Sequence, residues 1–173
     1  KEMNNLNNIL MNTNSNNSIQ DLISNIGENI INYFDCDGVS VFLINKEKSY
    51  LDVVLNIGEA NKYNPGDEIL EIDLDRIDDL RNVKYLNGIF NINDIDNEVL
   101  KKHMLKNKTE NIGIYTMEFN DETIGFLVLK FLANDTLRFN KFDYLKTISG
   151  NIATMIKSHT LSKEVKEEFE KRR

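Results

Sequence analysis

Cysteine, proline and tryptophan are almost absent, since the 173 residues include one cysteine, one proline and no tryptophan. A single cysteine excludes an internal disulfide framework and any zinc site that needs several thiolates. Cys36 directly precedes an apolar strand, so we predict that it is a buried structural thiol. No apolar run approaches the roughly 20 residues of a transmembrane helix, and no signal peptide is visible. These absences predict a protein of the reducing cytoplasm.

Positive charge is also scarce. Lysine and arginine number 21 against 28 aspartates and glutamates, which gives a formal net charge of -7 at pH 7. Phosphate groups are bound by clustered cations, so the composition argues against nucleic acid or a membrane surface as a partner. The one dense basic cluster, residues 171–173, lies beside glutamates.

Length and composition suit one domain with a proper core, because 40% of the residues are hydrophobic and 28% are charged. The sequence begins at Lys1 rather than methionine, and a helical pattern runs into its last residues. We therefore expect this domain to belong to a longer protein, with an output domain attached after it.

Two consecutive segments, residues 112–119 and 123–131, read as strands whose residues are apolar on both faces. Only Asn120, Asp121 and Glu122 separate them, which is too short for a parallel crossover and predicts an antiparallel hairpin. A strand that is apolar on both faces must be covered on both. We therefore predict helices on both sides of the sheet.

The other elements follow from hydrophobic periodicity and turn residues. We predict strands at 39–44, 50–57, 68–75 and 84–92. Helices are predicted at 19–34 and 77–80, and a last helix begins at about Asn140. A further helix is capped by Asn93 or Asp94 and carries Val99, Leu100, Met104 and Leu105. Ser18 or Asn17 is the predicted cap of the helix at 19–34. With the hairpin, this order predicts an α+β fold with a mostly antiparallel six-stranded sheet.

The last helix carries an apolar stripe that continues beyond the predicted domain. Its members are Leu145, Ile148, Ile152, Met155, Val165 and Phe169. After Ser158 no part of the domain remains to cover this stripe, so we expect a second copy of the chain in a coiled coil or four-helix bundle. His159 and Ser162 weaken such a pair, which suits a joint with two nearly balanced arrangements.

This reasoning divides the chain into three parts. Residues 1–17 are an N-terminal connecting helix fragment, residues 18–158 a sensory domain, and residues 159–173 a C-terminal signalling helix or linker. A globular sheet domain that feeds a protruding helix is typical of a sensor rather than a catalyst.

No catalytic or metal-binding pattern is visible in the sequence. Ser40 lacks the Gly-x-Ser-x-Gly elbow of a nucleophile, and His103 and His159 are most simply a polar-face and an interfacial helix residue. The acidic pair Asp78 and Asp79 lacks the spacing of a calcium-binding loop. We predict that the chain is not an enzyme; a metal-dependent catalyst at this pair is the enzyme alternative.

Three blocks of the sequence together resemble a GAF domain. DGVSVFLINKEKSYLDVVLNIG (residues 37–58) is similar to the first hairpin of that family, and NGIFNINDID (residues 87–96) to the block before its pocket helix. EFNDETIGFLVLKF and RFNKFDYLKTISGNIATMI (residues 118–131 and 138–156) are similar to its closing signature. The resemblance covers about residues 19–158. The fold alternative, a PAS-like domain, is disfavoured because the hairpin here precedes the helical insertion.

The resemblance implies terminal helices on one face of the sheet and a small-molecule pocket under helices and loops on the other. It also implies a homodimer formed through the terminal helices and regulation of an attached cyclase, phosphodiesterase, kinase or transcription factor. The positions similar to pocket contacts of the family are Ser40, Asn56, Leu80 and Asp96. The alternative is a ligand-free dimerisation scaffold, in which Leu80, Phe90 and Met104 fill the pocket.

Departures from the family motifs argue against a cyclic nucleotide. Phe139 and Asp143 fit the cyclic-nucleotide motif, but Leu132 and Tyr144 replace its lysine and glutamate. Lys130 lies on the same strand face as Leu132, but we do not expect it to replace the motif lysine. The expected glycine turn reads Asp-Asp-Leu-Arg at residues 78–81, and two carboxylates there would repel a cyclic phosphate.

Other ligands and activities of the family are also disfavoured. Covalent bilin attachment uses a Cys-His pair, and the corresponding residues here are Lys102 and His103. Reduction of methionine sulfoxide needs several cysteines. The resemblance therefore leaves the identity of the ligand open.

Overall fold

The computed structural model of the chain describes residues 18–45, 50–61, 87–96, 98–132 and 143–172. Its helices and strands, in chain order, are α1 (Ile19–Phe34), β1 (Gly38–Asn45), β2 (Tyr50–Ile57), β3 (Gly88–Asn91), α2 (Glu98–Lys106), β4 (Asn111–Phe119), β5 (Glu122–Phe131) and α3 (Leu145–Lys171). Short 3₁₀ helices, Glu59–Asn61 and Ile92–Asp94, follow β2 and β3.

The five described strands form one antiparallel sheet in the order β2-β1-β5-β4-β3. This sheet and the helices against it confirm the predicted α+β fold with a mostly antiparallel sheet. The strand predicted over residues 68–75 and the helical turn predicted at 77–80 lie outside the described residues. The sixth strand therefore stays a prediction.

The β4–β5 connection is a two-residue turn formed by Asn120 and Asp121. Their φ angles are 50° and 62°, and positive φ at both positions defines a type I′ hairpin turn, whose twist matches that of the strands. Asn and Asp tolerate this left-handed conformation better than most residues. Phe119 pairs with Glu122, so Glu122 is the first residue of β5 rather than part of the turn.

A bulge in the β1–β2 hairpin sets which side chains of β2 face which side of the sheet. Phe42 pairs with Val53, but Val41 pairs with Leu55, so β2 contains one extra residue at Val54. Beyond the bulge, Asn56 pairs with Ser40. In an uninterrupted ladder Asn56 would turn to the other face, because side chains alternate along a strand.

One face of the sheet, called here the helix face, is covered by α1 and α3. The large apolar residues buried in the two helices are Ile23, Ile26, Ile30 and Phe34 in α1, and Leu145, Ile148, Ile152 and Ile156 in α3. They pack against β-strand residues such as Val41, Tyr115 and Leu127. Ser18 Oγ accepts a hydrogen bond from the backbone N–H of Asp21 at 3.2 Å and so confirms the predicted cap of α1.

The opposite face, called here the pocket face, is covered in part by α2. Its buried apolar cluster joins strand residues Phe42, Ile112, Ile114, Phe126 and Val128 to Ile95 and Met104. Buried apolar side chains therefore lie on both sides of the sheet. This arrangement confirms the prediction of helices on both faces, with the terminal helices α1 and α3 together on one of them. The small-molecule pocket that the resemblance implied on the other face stays a prediction.

The start of α2 differs from the prediction. Neither Asn93 nor Asp94 caps it; both lie in the 3₁₀ helix Ile92–Asp94, and α2 begins at Glu98. Asn91 caps the 3₁₀ helix instead, since its Oδ1 accepts from the N–H of Asn93 at 3.0 Å. The two residues predicted to cap α2 are therefore part of a tighter 3₁₀ turn that precedes it.

Leu105 lies in this helix, as predicted, but its side chain does not belong to the buried face. Leu105 is 63% exposed, whereas Met104 is fully buried. Consecutive helical residues point about 100° apart, so only one of these two side chains can face the sheet.

Helix α3 runs without interruption from Leu145 to Lys171. Its side chains are buried against the sheet as far as Ile156, whereas every residue from Ser158 to Arg172 is exposed. The exposed part carries the apolar side chains Leu161, Val165 and Phe169. None of the described helices combines the length and the apolar character that crossing a bilayer requires.

Candidate functional site

Two of the four predicted pocket residues meet on the pocket face. Ser40 is fully buried in the middle of β1, and its Oγ donates a hydrogen bond to Asn56 Oδ1 at 2.7 Å. Asn56 is half-buried on β2, directly opposite Ser40 in the register. The β2 bulge is what brings the amide to the same face as the hydroxyl group.

The other two predicted residues are not part of this pair. Asp96 is exposed in the segment that joins the 3₁₀ helix to α2. Leu80 lies outside the described residues. The structure therefore brings together Ser40 and Asn56, and the roles of all four positions in ligand binding stay predictions.

A cavity of about 530 Å³ opens at the end of the β1–β2 hairpin. Its lining residues are Ile31, Cys36, Asp37, Asn56, Ile57, Gly58 and Glu59. Its volume falls in the range of small-molecule sites. However, the cavity lies at the end of these strands and is lined in part by helix-face residues. Asn56 is the one predicted pocket residue in its lining.

Cys36 is buried beside this cavity. Removal from water raises the pKa of its thiol to about 12, because burial disfavours the thiolate. At neutral pH the thiol is therefore protonated and unreactive. The prediction of a buried structural thiol is confirmed.

Lys130 is a buried cation on the pocket face that the sequence reasoning set aside. The residue is 1% exposed, and it pairs with Gly38 on β1 and Ile112 on β4. Burial lowers the pKa of its ammonium group to about 8, since desolvation disfavours the charged form. The sequence did show this feature, because Lys130 is a charged residue at an inward-facing position of an otherwise apolar strand.

Two glycines, Gly38 at the start of β1 and Gly58 after the end of β2, lie against each other. Gly38 is the β1 partner of Lys130. Gly58 follows β2 with a φ of 99°, and a Cβ atom there would lie only 2.8 Å from the Cα of Gly38. Glycine inside or beside a strand marks a place where other groups approach the backbone closely.

A chain of hydrogen bonds joins the residue before β3 to helix α3. Asn87 Oδ1 accepts from both the backbone N–H and the Oγ1 of Thr116, each at 3.1 Å. The carbonyl oxygen of Thr116 accepts from Ser149 Oγ at 2.9 Å. Ser149 is fully buried in α3, so a single β4 residue contacts polar groups on both sides of the sheet.

No metal site is evident in the described part of the chain, where no three or more His, Cys, Asp and Glu side chains are grouped to hold an ion. Asp78 and Asp79 lie outside it. His103 is half-buried in α2, and its Nε2 lies 3.1 Å from the Nδ2 of Asn107.

Solved structures share this fold over most of the chain. The phycoerythrobilin-bound GAF domain of a cyanobacterial phytochrome superposes with a TM-score of 0.71 at 13% identity, over 93% of this chain and 97% of that one. The GAF domain of a phosphoenolpyruvate-protein phosphotransferase from Coxiella burnetii has a TM-score of 0.68 at 13% identity, over 95% and 96%. The chain has the fold of a GAF domain.

A domain of a two-component sensor histidine kinase from Sinorhizobium meliloti also matches this GAF fold, with a TM-score of 0.59 at 13% identity over 82% of this chain and 92% of that one. No protein-family model and no curated protein sequence matches the chain. At such identities the likeness is one of fold, so the resemblance predicted from the three blocks is confirmed at the level of a GAF-like architecture.

Proposed function

We propose that this chain is a non-catalytic regulatory GAF module of a cytoplasmic signalling protein. It binds a small molecule on the pocket face, forms a homodimer through its terminal helices, and regulates an output domain that follows α3. The GAF fold supports this proposal, as do the structural neighbours, which include parts of a phytochrome and of a sensor histidine kinase.

The observation that carries the proposal is the exposed half of α3. Leu161, Val165 and Phe169 are 49%, 69% and 62% exposed, on a helix whose first half is buried in the core. Their spacing of four residues places them along one side of the helix. A row of apolar side chains on a polar helix favours pairing with a second helix, and the same stripe of another copy is complementary to it.

A ligand can drive output only through a difference in affinity between two arrangements of the domain. The hydrogen bonds from Asn87 through Thr116 to Ser149 connect the pocket side of the sheet with α3. We propose these residues as positions where ligand binding changes the packing of that helix.

The test uses the chain joined to its own downstream output domain. Changing Val165 and Phe169 together to Asp places charge in the stripe, and we expect loss of both dimer formation and regulation of output. Lys163→Asp, on the opposite side of the same helix, is the matched control and should leave both intact. Wild-type regulation in the double variant, with dimers retained in analytical ultracentrifugation, would remove α3 from the mechanism.

The second candidate function is a ligand-free dimerisation scaffold. Met104 is fully buried in the pocket-face cluster and Phe90 packs against the same cluster, as expected of side chains that fill a former pocket. Native mass spectrometry of the protein purified from cells distinguishes the two functions. A bound small molecule supports the sensor, whereas an empty protein whose output is nevertheless regulated by dimerisation supports the scaffold.

A further inference from the structure

The cavity of about 530 Å³ at the end of the β1–β2 hairpin is not used by the proposed function. Its described lining comes from three segments of the chain: the second half of α1, the turn before β1, and the end of β2 with the two residues that follow it. It shares only Asn56 with the predicted pocket residues. A cavity of this size suits a small organic molecule.

Hydrogen bonds around Asp37 fix one side of this cavity. The N–H of Asp37 donates to the carbonyl oxygen of Lys130 at 2.8 Å, and the carbonyl oxygen of Asp37 accepts from the N–H of Ala60 at 2.9 Å. Its side-chain Oδ2 accepts from the N–H of Leu132 at 2.8 Å. These contacts hold the carboxylate in place before a ligand binds, which lowers the ordering cost of binding.

The charged side chains of the cavity are acidic. Asp37 and Glu59 carry carboxylates, and no positively charged side chain is among the described residues that line it. A carboxylate has about four lone-pair sites and donates nothing when ionised, so the contact of Asp37 with Leu132 leaves capacity for a further donor. A ligand at this carboxylate has to supply hydrogen-bond donors, and a positive charge on it is favourable.

The rest of the lining narrows the class of this cation. Hard metal ions need about six oxygen ligands or more, and the described residues include no group of three or more His, Cys, Asp and Glu side chains that could hold one. Ile31 and Ile57 add an apolar surface beside the carboxylates. An ammonium group has three donors and no acceptor, so an organic ammonium with an aliphatic body is complementary to both parts of the lining.

We infer that this cavity binds a primary aliphatic amine, with its ammonium group at the Asp37 and Glu59 carboxylates and its hydrocarbon part against Ile31 and Ile57. The inference goes beyond the proposed function, because it assigns a second site, separate from the one on the pocket face.

The experiment measures binding of straight-chain primary amines, from propylamine to hexylamine, to the whole chain at neutral pH by calorimetry. Alcohols and carboxylates of the same chain lengths, at matched ionic strength, are the comparison probes. We expect the affinity of the amines to rise by about fourfold for each methylene group that is buried. The alcohols and carboxylates should bind far more weakly, because they lack the positive charge.

Backbone amide signals locate the bound amine. In ¹H–¹⁵N spectra we expect hexylamine to shift the signals of Gly58 and Glu59 at the cavity and to leave those of Ile112 and Ile114 on the pocket face unchanged. Shifts confined to the pocket face would overturn the inference, because the amine would then occupy the site of the proposed sensor.

Two variants test the carboxylates. Asp37→Asn removes the charge but keeps an acceptor for the N–H of Leu132, and it should weaken hexylamine binding by about tenfold or more. Glu59→Gln, at an exposed position, should weaken it by about twofold to fivefold. Asp35→Asn is the matched control, because Asp35 is exposed, lies outside the cavity lining and has a φ of 53° that asparagine tolerates. This control should bind hexylamine as the wild type does.

Three further results would overturn the inference: no amine binding at millimolar concentration, equal affinity for amines and alcohols, or unchanged affinity in both Asp37→Asn and Glu59→Gln. A loss in Asp35→Asn as large as that in Asp37→Asn would also do so, because it would be an effect of net charge alone. The proposed sensor is tested separately, by native mass spectrometry and by charge in the α3 stripe, so neither conclusion depends on the other.

Discussion

Two buried threonines differ in their hydrogen-bond partners, so we expect their hydroxyl groups to have opposite effects on stability. Thr109 and Thr116 are 2% and 7% exposed. The Oγ1 of Thr116 donates to Asn87 Oδ1. The Oγ1 of Thr109 has no hydrogen-bond partner in the described structure, so its desolvation is not compensated.

Changing each of these threonines to valine keeps the shape of the side chain and removes the hydroxyl group. We expect Thr109→Val to raise the free energy of unfolding by about 1 kcal/mol and Thr116→Val to lower it by about 1 kcal/mol. Urea denaturation of the two variants and the wild type measures both effects. Destabilisation of similar size in both variants would show that Thr109 has a hydrogen-bond partner in solution.

The buried ammonium group of Lys130 predicts a dependence of stability on pH. Its pKa of about 8 in the folded chain is below the value of about 10.4 expected in the unfolded chain. Between these values the unfolded chain binds the proton and the folded chain does not. The contribution of Lys130 to the free energy of unfolding therefore increases as the pH rises from about 8 to about 10.4, by about 3 kcal/mol at most.

The measurement compares the wild type with Lys130→Met over this pH range by urea denaturation. The comparison is needed because the raised pKa values of Cys36 and Tyr115 make stability fall with increasing pH above about 8.5 and 10. Both proteins share those groups, so the difference between them reports Lys130 alone. A difference that stays constant with pH would contradict the lowered pKa.

At the level of elements, the end of α2 has the geometry of a Schellman motif. The N–H of Thr109 donates to the carbonyl of Met104 at 2.9 Å, and the N–H of Lys108 to that of Leu105 at 3.2 Å. Lys108 has a φ of 54°, at the position where glycine is usual because a Cβ is strained in the left-handed region.

We therefore expect Lys108→Gly to be more stable than Lys108→Ala by about 1 kcal/mol. Both variants lack the lysine side chain, so the difference between them isolates the backbone conformation. Thermal unfolding followed by circular dichroism is sufficient to measure it. An alanine variant as stable as the glycine variant would show that α2 ends differently in solution.

The sequence predicted strands and helices well where apolar residues mark both the element and its burial. β2 has the predicted bounds, and β4 and β5 begin within one residue of them. The start of α2 was less predictable because Asn91, Asn93 and Asp94 can all cap a helix or a turn. Which of them does so depends on how the chain leaves β3.

Side-chain contacts at the candidate site were harder to predict than the elements that carry them. Ser40 and Asn56 face each other only because Val54 is an extra residue in β2, and no residue type in this strand signals a bulge. Lys130 was set aside because a fully buried lysine is rare. The resemblance pointed to the pocket face but did not indicate that this face contains a buried lysine.

At the scale of the whole molecule, the GAF fold and the proposed homodimer depend on different parts of the chain. In the part of the chain that the structure describes, the sheet, α1 and the first half of α3 form a core whose apolar side chains are buried within one copy. The second half of α3 adds nothing to this core. Variants of Val165 or Phe169 should therefore change assembly without unfolding the domain.

Because α3 continues without interruption past Ile156, a small tilt at its base produces a larger displacement at its end. The 15 residues from Lys157 to Lys171 extend about 22 Å at 1.5 Å per residue. A tilt of about 10° where the helix leaves the sheet moves its far end by about 4 Å, a displacement similar to the width of one side chain. A rearrangement too small to disturb the packing around Ser149 is thus large enough, at the far end of the helix, to exchange one set of neighbouring side chains for another.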